Sequence, residues 1–178
     1  MPRGELRIFE DAQLIGVAAV QKVNIKDIVE DSWSSPSGKF GGASKGLSEA
    51  LGRKPFSTDL KERHPFDVEF TRIPPGKTAY PYHSHSAQWE FYYVLSGKGA
   101  VRHKDGTTPI ETGDAFIFPP EEPHTFANDG TEDLLILIVA DNPIGESSYY
   151  PDSKKWLVRS PERRLMRGES LEYYDGEE

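Results

Sequence analysis

The stretch that decides the fold reads Gly76-Lys-Thr-Ala-Tyr-Pro-Tyr-His83-Ser-His85-Ser-Ala-Gln-Trp-Glu90-Phe-Tyr-Tyr-Val-Leu-Ser-Gly97. Its two histidines stand one residue apart, and a glutamate follows five residues after the second. Positions two apart in a β-strand point to the same face of the sheet. His83 and His85 are therefore predicted to place two imidazoles in one space, to which Glu90 can add a carboxylate. Two nitrogen ligands and one oxygen ligand suit a transition metal such as iron, manganese, nickel, copper or zinc.

The composition narrows the classes of protein and of site. At 178 residues the chain is most simply one domain with extensions. It has no cysteine, so a metal must be held by His, Asp or Glu, and thiol catalysis is excluded. The net charge of −8 argues against nucleic acid and anionic membrane surfaces as partners. The short apolar run at 14–20 follows acidic residues and does not resemble a signal peptide, so we expect a cytoplasmic protein.

Short strands separated by glycine and proline turns dominate the middle of the chain. Alternating or continuous apolar runs predict strands at 66–70, 80–85, 90–95, 100–103, 115–118, 125–127 and 134–140, and a further one at 14–20. Many short strands at close spacing predict an all-β antiparallel barrel or sandwich. The segment 30–56 is rich in Ser, Gly and Pro and is predicted to be irregular, apart from a helical turn or two at 44–51 that Gly52 ends.

The chain is predicted to have three parts, which are an N-terminal strand and irregular extension (1–65), a barrel core (66–142) and a C-terminal extension lying over the barrel (143–178). Two strands of the core, 91–95 and 134–139, are apolar almost throughout, which predicts burial on both faces. The N-terminal segment with Trp33 and Phe40, or a second subunit, must then cover the outer face. We expect a homodimer, since twofold oligomers are the most frequent.

A second cluster, farther along the chain, adds a third histidine. Gly113-Asp-Ala-Phe-Ile-Phe-Pro119-Pro-Glu121-Glu-Pro-His124-Thr-Phe-Ala-Asn128 places His124 in a strand after a proline turn. Together the clusters resemble the two motifs of the cupin superfamily. The first, G(X)5HXH(X)3–4E(X)6G, is filled by Gly76, His83, His85, Glu90 and Gly97, with one extra residue before His83. The second, G(X)5PXG(X)2H(X)3N, is filled by Gly113, Pro119, His124 and Asn128.

One position departs from the second motif. Glu121 stands where the family usually has glycine. That glycine usually serves a turn with positive φ, so we expect the turn before His124 to differ in shape. The flanking sequence also resembles a group of single-domain bacterial cupins of the conserved-barrel type, through segments 35–40, 47–52, 150–153 and 174–177.

The resemblance implies a double-stranded β-helix, which is a jelly-roll antiparallel barrel, here with irregular N-terminal and C-terminal extensions. It also implies one divalent transition metal ion (Fe, Mn, Ni, Zn or Cu) held by His83, His85, Glu90 and His124. Three neutral imidazoles and one carboxylate leave open positions, which is typical of catalytic rather than structural sites. Because coordination needs deprotonated imidazoles, we expect metal affinity to fall below about pH 6.

Two residues are predicted to take part in chemistry at this site. Glu90, besides being a ligand, could shift to act as a base. Tyr92 shares the face of Glu90 by strand parity and is the best aromatic candidate for the pocket.

Three functions compete for this cupin-like chain. The first is a metal-dependent enzyme, of oxygenase type or related, that acts on a small organic molecule in the barrel. The second is a sugar or sugar-phosphate isomerase-like cupin, whose motif is faintly resembled by Thr71, Pro74, Gly76 and Pro81. A phosphate would need inward basic side chains, for which Arg72 and Arg102 are candidates. The third is a non-catalytic module that binds a small ligand, since the fold alone does not fix the function.

Overall fold

The computed structural model describes residues 20–159 and 162–177. This part contains a 3-10 turn (Ile25–Asp27), two short helices, α1 (Leu47–Ala50) and α2 (Leu60–Arg63), and the strands β1 (Asp31–Ser34), β2 (Gly41–Gly46), β3 (Phe66–Ile73), β4 (Ser84–His85), β5 (Glu90–Ser96), β6 (Lys98–His103), β7 (Gly106–Glu111), β8 (Ala115–Phe118), β9 (Thr125–Ala127), β10 (Leu134–Asp141), β11 (Ser147–Tyr150), β12 (Lys155–Val158) and β13 (Arg164–Met166). The strand expected at 14–20 lies outside the described residues. Within the described ranges, no helix has the length and apolarity needed to cross a membrane.

The strands form three antiparallel sheets around one core. The largest has the order β1-β2-β3-β10-β5-β8, and the other two have the orders β13-β12-β11-β4 and β7-β6-β9. Side chains of the largest sheet, such as Ile73 and Val94, pack in one buried cluster with Val101 of β6 and Phe126 of β9. The prediction of an all-β antiparallel jelly-roll barrel is therefore confirmed.

Strand β10 lies at the centre of the largest sheet, between β3 and β5. Every second residue points into the core, so Leu134 and Ile136 are buried while the residues between them are only half-buried. Strand β5 alternates more strongly, because its outer residues Phe91 and Tyr93 are each 38% exposed. Within this single chain the outer face of β5 is therefore not covered, and its burial by a second subunit stays a prediction. Trp33 does not cover that face; its ring stacks on Tyr80 at 5.0 Å.

The segment predicted to be irregular, 30–56, contributes strands β1 and β2 to the edge of the largest sheet. The glycines that lower its strand propensity are required by close packing. A Cβ on Gly42 would lie 2.8 Å from the Arg72 carbonyl oxygen and 2.8 Å from the Trp33 ring. The helical turn expected next is confirmed as α1, and the left-handed Gly52 (φ +98°) follows it.

The strand predicted at 80–85 is confirmed only at its end, as β4. Pro81 has no N–H to donate, and the carbonyls before it accept side-chain donors instead of ladder bonds. The Trp33 Nε1–H donates to the Ala79 oxygen at 3.0 Å, and the Thr125 hydroxyl donates to the Tyr80 oxygen at 2.5 Å. Strand β7 was not predicted; it contains Pro109 and accordingly lies at a sheet edge.

The C-terminal extension is built of strands rather than being irregular. Strands β11, β12 and β13 form a meander, and β11 also pairs with β4. In that pairing Ser148 lies opposite His85. The extension therefore borders the segment that carries the two neighbouring histidines.

Candidate metal centre and its cavity

The four sequence-predicted ligands lie together inside the barrel. His83, His85 and Glu90 each offer one ligand atom, and these atoms lie within 4.8 Å of one another. The His124 Nε2 atom lies 2.9 Å from Glu90 Oε2, and His85 Nε2 lies 3.3 Å from the same oxygen. Backbone hydrogen bonds between His83 and His124 in both directions join the two motifs. The structure thus brings together a His–His–Glu group that could hold a metal, with a third imidazole beside it.

The three imidazoles share one hydrogen-bonding pattern. Each has an oxygen acceptor near Nδ1, which is Pro81 O at 2.9 Å for His83, Glu146 Oε1 at 3.0 Å for His85 and Glu122 O at 3.1 Å for His124. In a neutral imidazole such an acceptor keeps the proton on Nδ1 and leaves the lone pair on Nε2. All three Nε2 atoms can then serve as ligands.

Glu146 is a buried carboxylate that the sequence analysis missed. It lies between β10 and β11, and besides His85 it accepts hydrogen bonds from the backbone N–H groups of Ser86, Ala87 and Gln88, at 2.9–3.1 Å. Burial raises the pKa of Glu146, but the His85 and backbone hydrogen bonds outweigh burial and leave that pKa below its usual value. No motif spacing links Glu146 to His85, so only the folded chain reveals the pair.

The two neighbouring histidines have opposite electrostatic environments. Burial, together with the nearby His85 and His124 imidazoles, lowers the pKa of His83 to about 4. Burial also lowers the pKa of His85, but the hydrogen bond with Glu146 and the negative charge of the nearby Glu90 carboxylate outweigh burial and raise that pKa to about 9. Burial raises the pKa of Glu90, but the His124 and His85 imidazoles close to its carboxylate outweigh burial and hold that pKa well below its usual value. In the absence of metal, the charges on His85 and Glu90 stabilise each other.

Tyr92 lies on the inner face beside Glu90, as strand parity predicts. Its hydroxyl donates to Glu90 Oε2 at 2.9 Å and lies 3.0 Å from His124 Nε2. Burial raises the pKa of Tyr92 well above its usual value, so the phenol stays protonated and can keep donating to Glu90. Tyr92 therefore fixes the orientation of the Glu90 carboxylate. Its catalytic role stays a prediction.

Glu121 adopts the backbone conformation that the family reserves for glycine. Its φ is +69°, and its N–H donates to the His85 carbonyl oxygen at 2.7 Å. The expectation that this turn differs in shape is therefore wrong with respect to the sign of φ. The glutamate adopts the left-handed conformation, and the turn still leads into His124 with a hydrogen bond to the other motif.

The cluster opens into a cavity of about 480 Å³, a size suited to a small molecule. His83, His85, Glu90 and Tyr92 line it, together with Glu69, Tyr80, Glu146 and the arginines Arg53, Arg63 and Arg159. The sequence-based candidates for inward basic residues, Arg72 and Arg102, are wrong. Arg72 pairs with Glu30 and Asp133, and Arg102 pairs with Asp152, all outside this cavity.

Glu69 is a second carboxyl group of the cavity and lies outside the metal-ligand cluster. It is on β3, where it faces Ile138 of β10 in register, and it is half-buried. The Thr71 hydroxyl donates to Glu69 Oε1 at 2.9 Å. Burial, together with the negative charges of neighbouring carboxylates, raises the pKa of Glu69 to about 7. Glu69 can therefore exchange a proton with a bound molecule near neutral pH.

The residues of the cluster fit a divalent transition metal. The buried His85 Nε2 has no hydrogen-bond partner, because its 3.3 Å contact with Glu90 Oε2 is not aligned for one. An unpartnered ring nitrogen, two further Nε2 atoms and one carboxylate form a nitrogen-rich donor set of the kind that such ions prefer. When bound, the ion would supply Lewis-acid polarisation of a substrate oxygen.

Comparison with known sequences places the barrel in a family. Residues 69–140 match the cupin domain family Cupin_2. The chain is 34% identical over 68 residues to the oxalate-binding protein of Thermotoga maritima, which is 38% of this chain and 55% of that protein. It is 33% identical over 61 residues to protein MJ1618 of Methanocaldococcus jannaschii, which is 34% of this chain and 49% of that protein. The chain thus spans about half the length of the curated relatives it matches.

Solved structures extend the similarity to most of the chain. A candidate sugar phosphate isomerase of Acidithiobacillus ferrooxidans superposes with a TM-score of 0.70 at 27% identity, covering 83% of this chain and 92% of that one. A cupin-superfamily sugar phosphate isomerase of Silicibacter pomeroyi superposes with a TM-score of 0.71 at 23% identity, covering 85% and 97%. The matched segment, with its four converging residues, and the shared barrel agree: residues 69–140 of this chain match the Cupin_2 family, and the chain has the fold of cupin-superfamily proteins.

Proposed function

We propose that this protein is a metal-dependent enzyme that acts on a small molecule in the barrel, and that its reaction is isomerisation of a hydroxy-carbonyl compound by proton transfer. The observation that carries this proposal is Glu69, a carboxyl group in the same cavity as the His–His–Glu group but outside it. An isomerase of this kind needs a group that polarises the carbonyl and a separate acid–base group. The cavity offers residues for both.

The proton transfer is assigned to Glu69. As a carboxylate, it would take a proton from the hydroxyl-bearing carbon; as an acid, it would return that proton to the former carbonyl carbon, while the hydroxyl proton moves to the former carbonyl oxygen. The reaction needs no oxidant and no second substrate. A pKa of about 7 suits Glu69 to both halves of this exchange at neutral pH.

Glu90 is less suited to act as the base. Its Oε2 atom is contacted by Tyr92, His124 and His85, and its pKa is well below the usual value. The role that this environment supports for Glu90 is that of a ligand. The sequence-based proposal that Glu90 acts as a base is therefore replaced by a proposal in which Glu69 does.

The comparisons supply independent support for this class of reaction. The candidate isomerase of Acidithiobacillus ferrooxidans, similar over 83% of this chain, is named for sugar phosphates. The Thermotoga maritima relative is named for oxalate. Both names refer to small, oxygen-rich, anionic molecules, and the cavity carries arginines on its wall.

Oxygenation is the second candidate function. The three imidazoles and one carboxylate would suit iron as well as other divalent ions, and open positions could then accept both substrate and O2. Non-catalytic ligand binding is the third candidate, favoured by the name of the oxalate-binding relative. The three differ in observable products, so one set of assays separates them.

The decisive experiment follows exchange of carbon-bound hydrogen. Metal-loaded protein is incubated in D2O under argon with aldoses, ketoses and their phosphate esters, and proton NMR follows deuterium incorporation beside the carbonyl together with aldose–ketose conversion. We expect conversion of at least one compound, and a loss of 10²-fold or more in Glu69→Gln. Glu132→Gln, an exposed carboxylate outside the cavity, is the matched control and should keep wild-type activity.

Each alternative has its own result in the same setting. Oxygen consumption with a substrate that shows no anaerobic exchange would support the oxygenase and overturn the isomerase. A ligand-induced rise in melting temperature without turnover in either atmosphere would support the binding module. Full activity of Glu69→Gln would remove Glu69 from the mechanism.

A further inference from the structure

Arg159 lines the cavity without an acidic partner. It follows directly after β12, its Nε atom is buried, and that atom has no hydrogen-bond partner. Among the described residues, no carboxylate lies within ion-pairing distance of its guanidinium. Burial lowers the pKa of Arg159, which reflects a charge that is partly removed from water. A half-buried cation without a counter-charge destabilises the fold, so an anion that bound here would be stabilised by the charge of Arg159.

The groups around Arg159 do not neutralise its charge. Glu146 is the carboxylate whose charge acts most strongly on Arg159. Its oxygens already accept hydrogen bonds from His85 and from three backbone N–H groups. Arg163 is also close enough to act on Arg159 and carries a like charge. Tyr150 and Glu90 also act on Arg159 electrostatically, but the Glu90 carboxylate is already contacted by Tyr92, His124 and His85. The ring of Phe56 lies 5.7 Å from the guanidinium carbon and offers a face rather than a charge.

Arg63 adds a second positive charge to the same cavity. Its guanidinium donates to backbone carbonyl oxygens only, those of Asn142 at 2.7 Å, Ser57 at 2.9 Å and Pro143. Carbonyl dipoles hold the group in place but leave its full charge uncompensated. Arg53 differs, because it pairs with both Glu49 and Asp67.

The location of Arg159 is the open end of the cavity. Phe56 and Ile144 line the cavity and are 64% and 59% exposed, so they mark its rim. The contact between Phe56 and Arg159 places the guanidinium at this rim. The His–Glu cluster, with His85 7% exposed, lies at the buried end.

We propose that Arg159, with Arg63 on the wall of the same cavity, forms an anion-binding subsite at the rim, and that the molecule acted on carries a carboxylate or a phosphate group there while its other end faces the His–Glu cluster. This inference rests on the proposed function only in assigning both ends to one molecule. An anionic terminus would neutralise Arg159 and form charge-assisted hydrogen bonds with it. It would also orient the reacting carbons relative to Glu69, which lines the same cavity.

The test measures anion binding rather than turnover. Isothermal titration of the metal-loaded protein with inorganic phosphate and with malonate gives two affinities, for wild type, Arg159→Met, Arg159→Lys and Arg102→Met. A bound metal contributes equally to all four proteins, so the ratio of affinities isolates the side chain. We expect Arg159→Met to bind the preferred anion about 10- to 100-fold more weakly, Arg159→Lys to retain part of the affinity, and Arg102→Met, whose side chain pairs with Asp152 outside the cavity, to match wild type.

The outcomes separate the sources and the alternatives. Preference for phosphate supports a phosphate ester as the natural ligand, and preference for malonate supports a carboxylate. Unchanged binding by Arg159→Met, or no binding of either anion by wild type, would overturn the subsite. A large loss of melting temperature in Arg159→Met would also contradict it, because removing an uncompensated charge should not destabilise the fold. None of these readouts requires catalysis, so the subsite and the isomerase can fail independently.

Discussion

Replacement of Glu69 by glutamine should make this protein more stable at alkaline pH. The side chain keeps its shape and can still accept the hydrogen bond from Thr71, but it can no longer ionise. The pKa of Glu69 rises from the ordinary 4.5 to about 7 in the fold. That difference, about 2.5 units at 1.36 kcal/mol each, corresponds to at most about 3.4 kcal/mol. Because Glu69 is only half-buried, solvent screens part of this effect, and we expect about 2–3 kcal/mol.

The sign follows from the direction of the shift. A carboxyl group whose pKa is raised on folding contributes its full stability below the unfolded pKa, near 4.5, and loses it as the pH rises through the folded value, about 7. The wild-type protein therefore carries a penalty at pH 8 that is only about a quarter as large at pH 5. The glutamine variant carries this penalty at neither pH. Its advantage over wild type should be small at pH 5 and about 2–3 kcal/mol at pH 8.

Urea unfolding of the metal-free protein, kept so with a chelator, measures the difference at both pH values. Glu132→Gln, on the exposed surface, serves as the control and should shift the unfolding free energy equally at the two pH values. An advantage of Glu69→Gln that is the same at pH 5 and pH 8 would refute the reasoning, as would greater stability of wild type at pH 8. If Glu69→Gln also loses hydrogen-exchange activity, then the carboxylate that lowers the stability of the fold is the one that the reaction needs as a base.

Four further outcomes test other parts of the structure. Glu146→Gln should lower metal affinity about 10- to 100-fold in a titration with Zn²⁺, because the glutamine amide group would face backbone N–H donors. Glu122→Gln is the control and should match wild type, because only the backbone carbonyl of Glu122 contacts His124. Equal affinities of the two variants would contradict the role of Glu146. The pKa of His85 is about 9, so a proton on His85 competes with the metal near neutral pH, and metal affinity should keep rising from pH 7 to pH 9. The sequence alone predicts a fall in metal affinity only below about pH 6. A flat affinity profile above pH 7 would show that the pKa of His85 is not raised. Glu121→Gly should raise the unfolding free energy by about 0.5–1 kcal/mol by relieving the left-handed conformation, and Glu121→Val should lower it; the opposite order in urea unfolding would show that no strain exists there. We also propose that the homodimer forms through the exposed face of Phe91, Tyr93 and Ile117, so Ile117→Lys should yield a monomer in sedimentation, and a wild-type monomer at micromolar concentration would exclude the dimer.

The ligand cluster was predictable because its information is local. His83 and His85 are two residues apart, and each motif carries its own turn residues, so strand geometry alone brings the side chains to one face. The joining of His124 to the first motif needed the family resemblance, because the two segments are forty-one residues apart and meet through backbone hydrogen bonds between His83 and His124. Those bonds have no sequence signal of their own.

The residues that shape the cavity could not be predicted in this way. Glu146 and Arg159 come from the C-terminal extension, and Arg53 and Arg63 come from the N-terminal one. Their positions depend on how distant strands align, as in the pairing of Ser148 with His85. Glu69 lies in an alternating strand whose facing direction is set by its register with β10, and a shift of one residue would turn it outward.

Strand propensity also failed where packing overrides it. Gly42 is poor in strand-forming tendency, yet the approach of the Arg72 carbonyl and the Trp33 ring leaves no room for a side chain. The stretch before β4 looks like a strand by composition, but Pro81 and the side-chain donors of Trp33 and Thr125 satisfy its backbone otherwise.

Because β11 pairs with β4, the cavity includes residues that lie beyond the segment matched by the family. The segment shared with the cupin family ends at residue 140, and it contains every predicted metal ligand. The carboxylate that orients His85 and the arginine at the rim both come later, at positions 146 and 159. A chain shortened to the family segment would keep a set of ligands without the groups that tune them. Relatives that share the barrel but exchange this tail can therefore retain the same ion while differing in the molecule they accept.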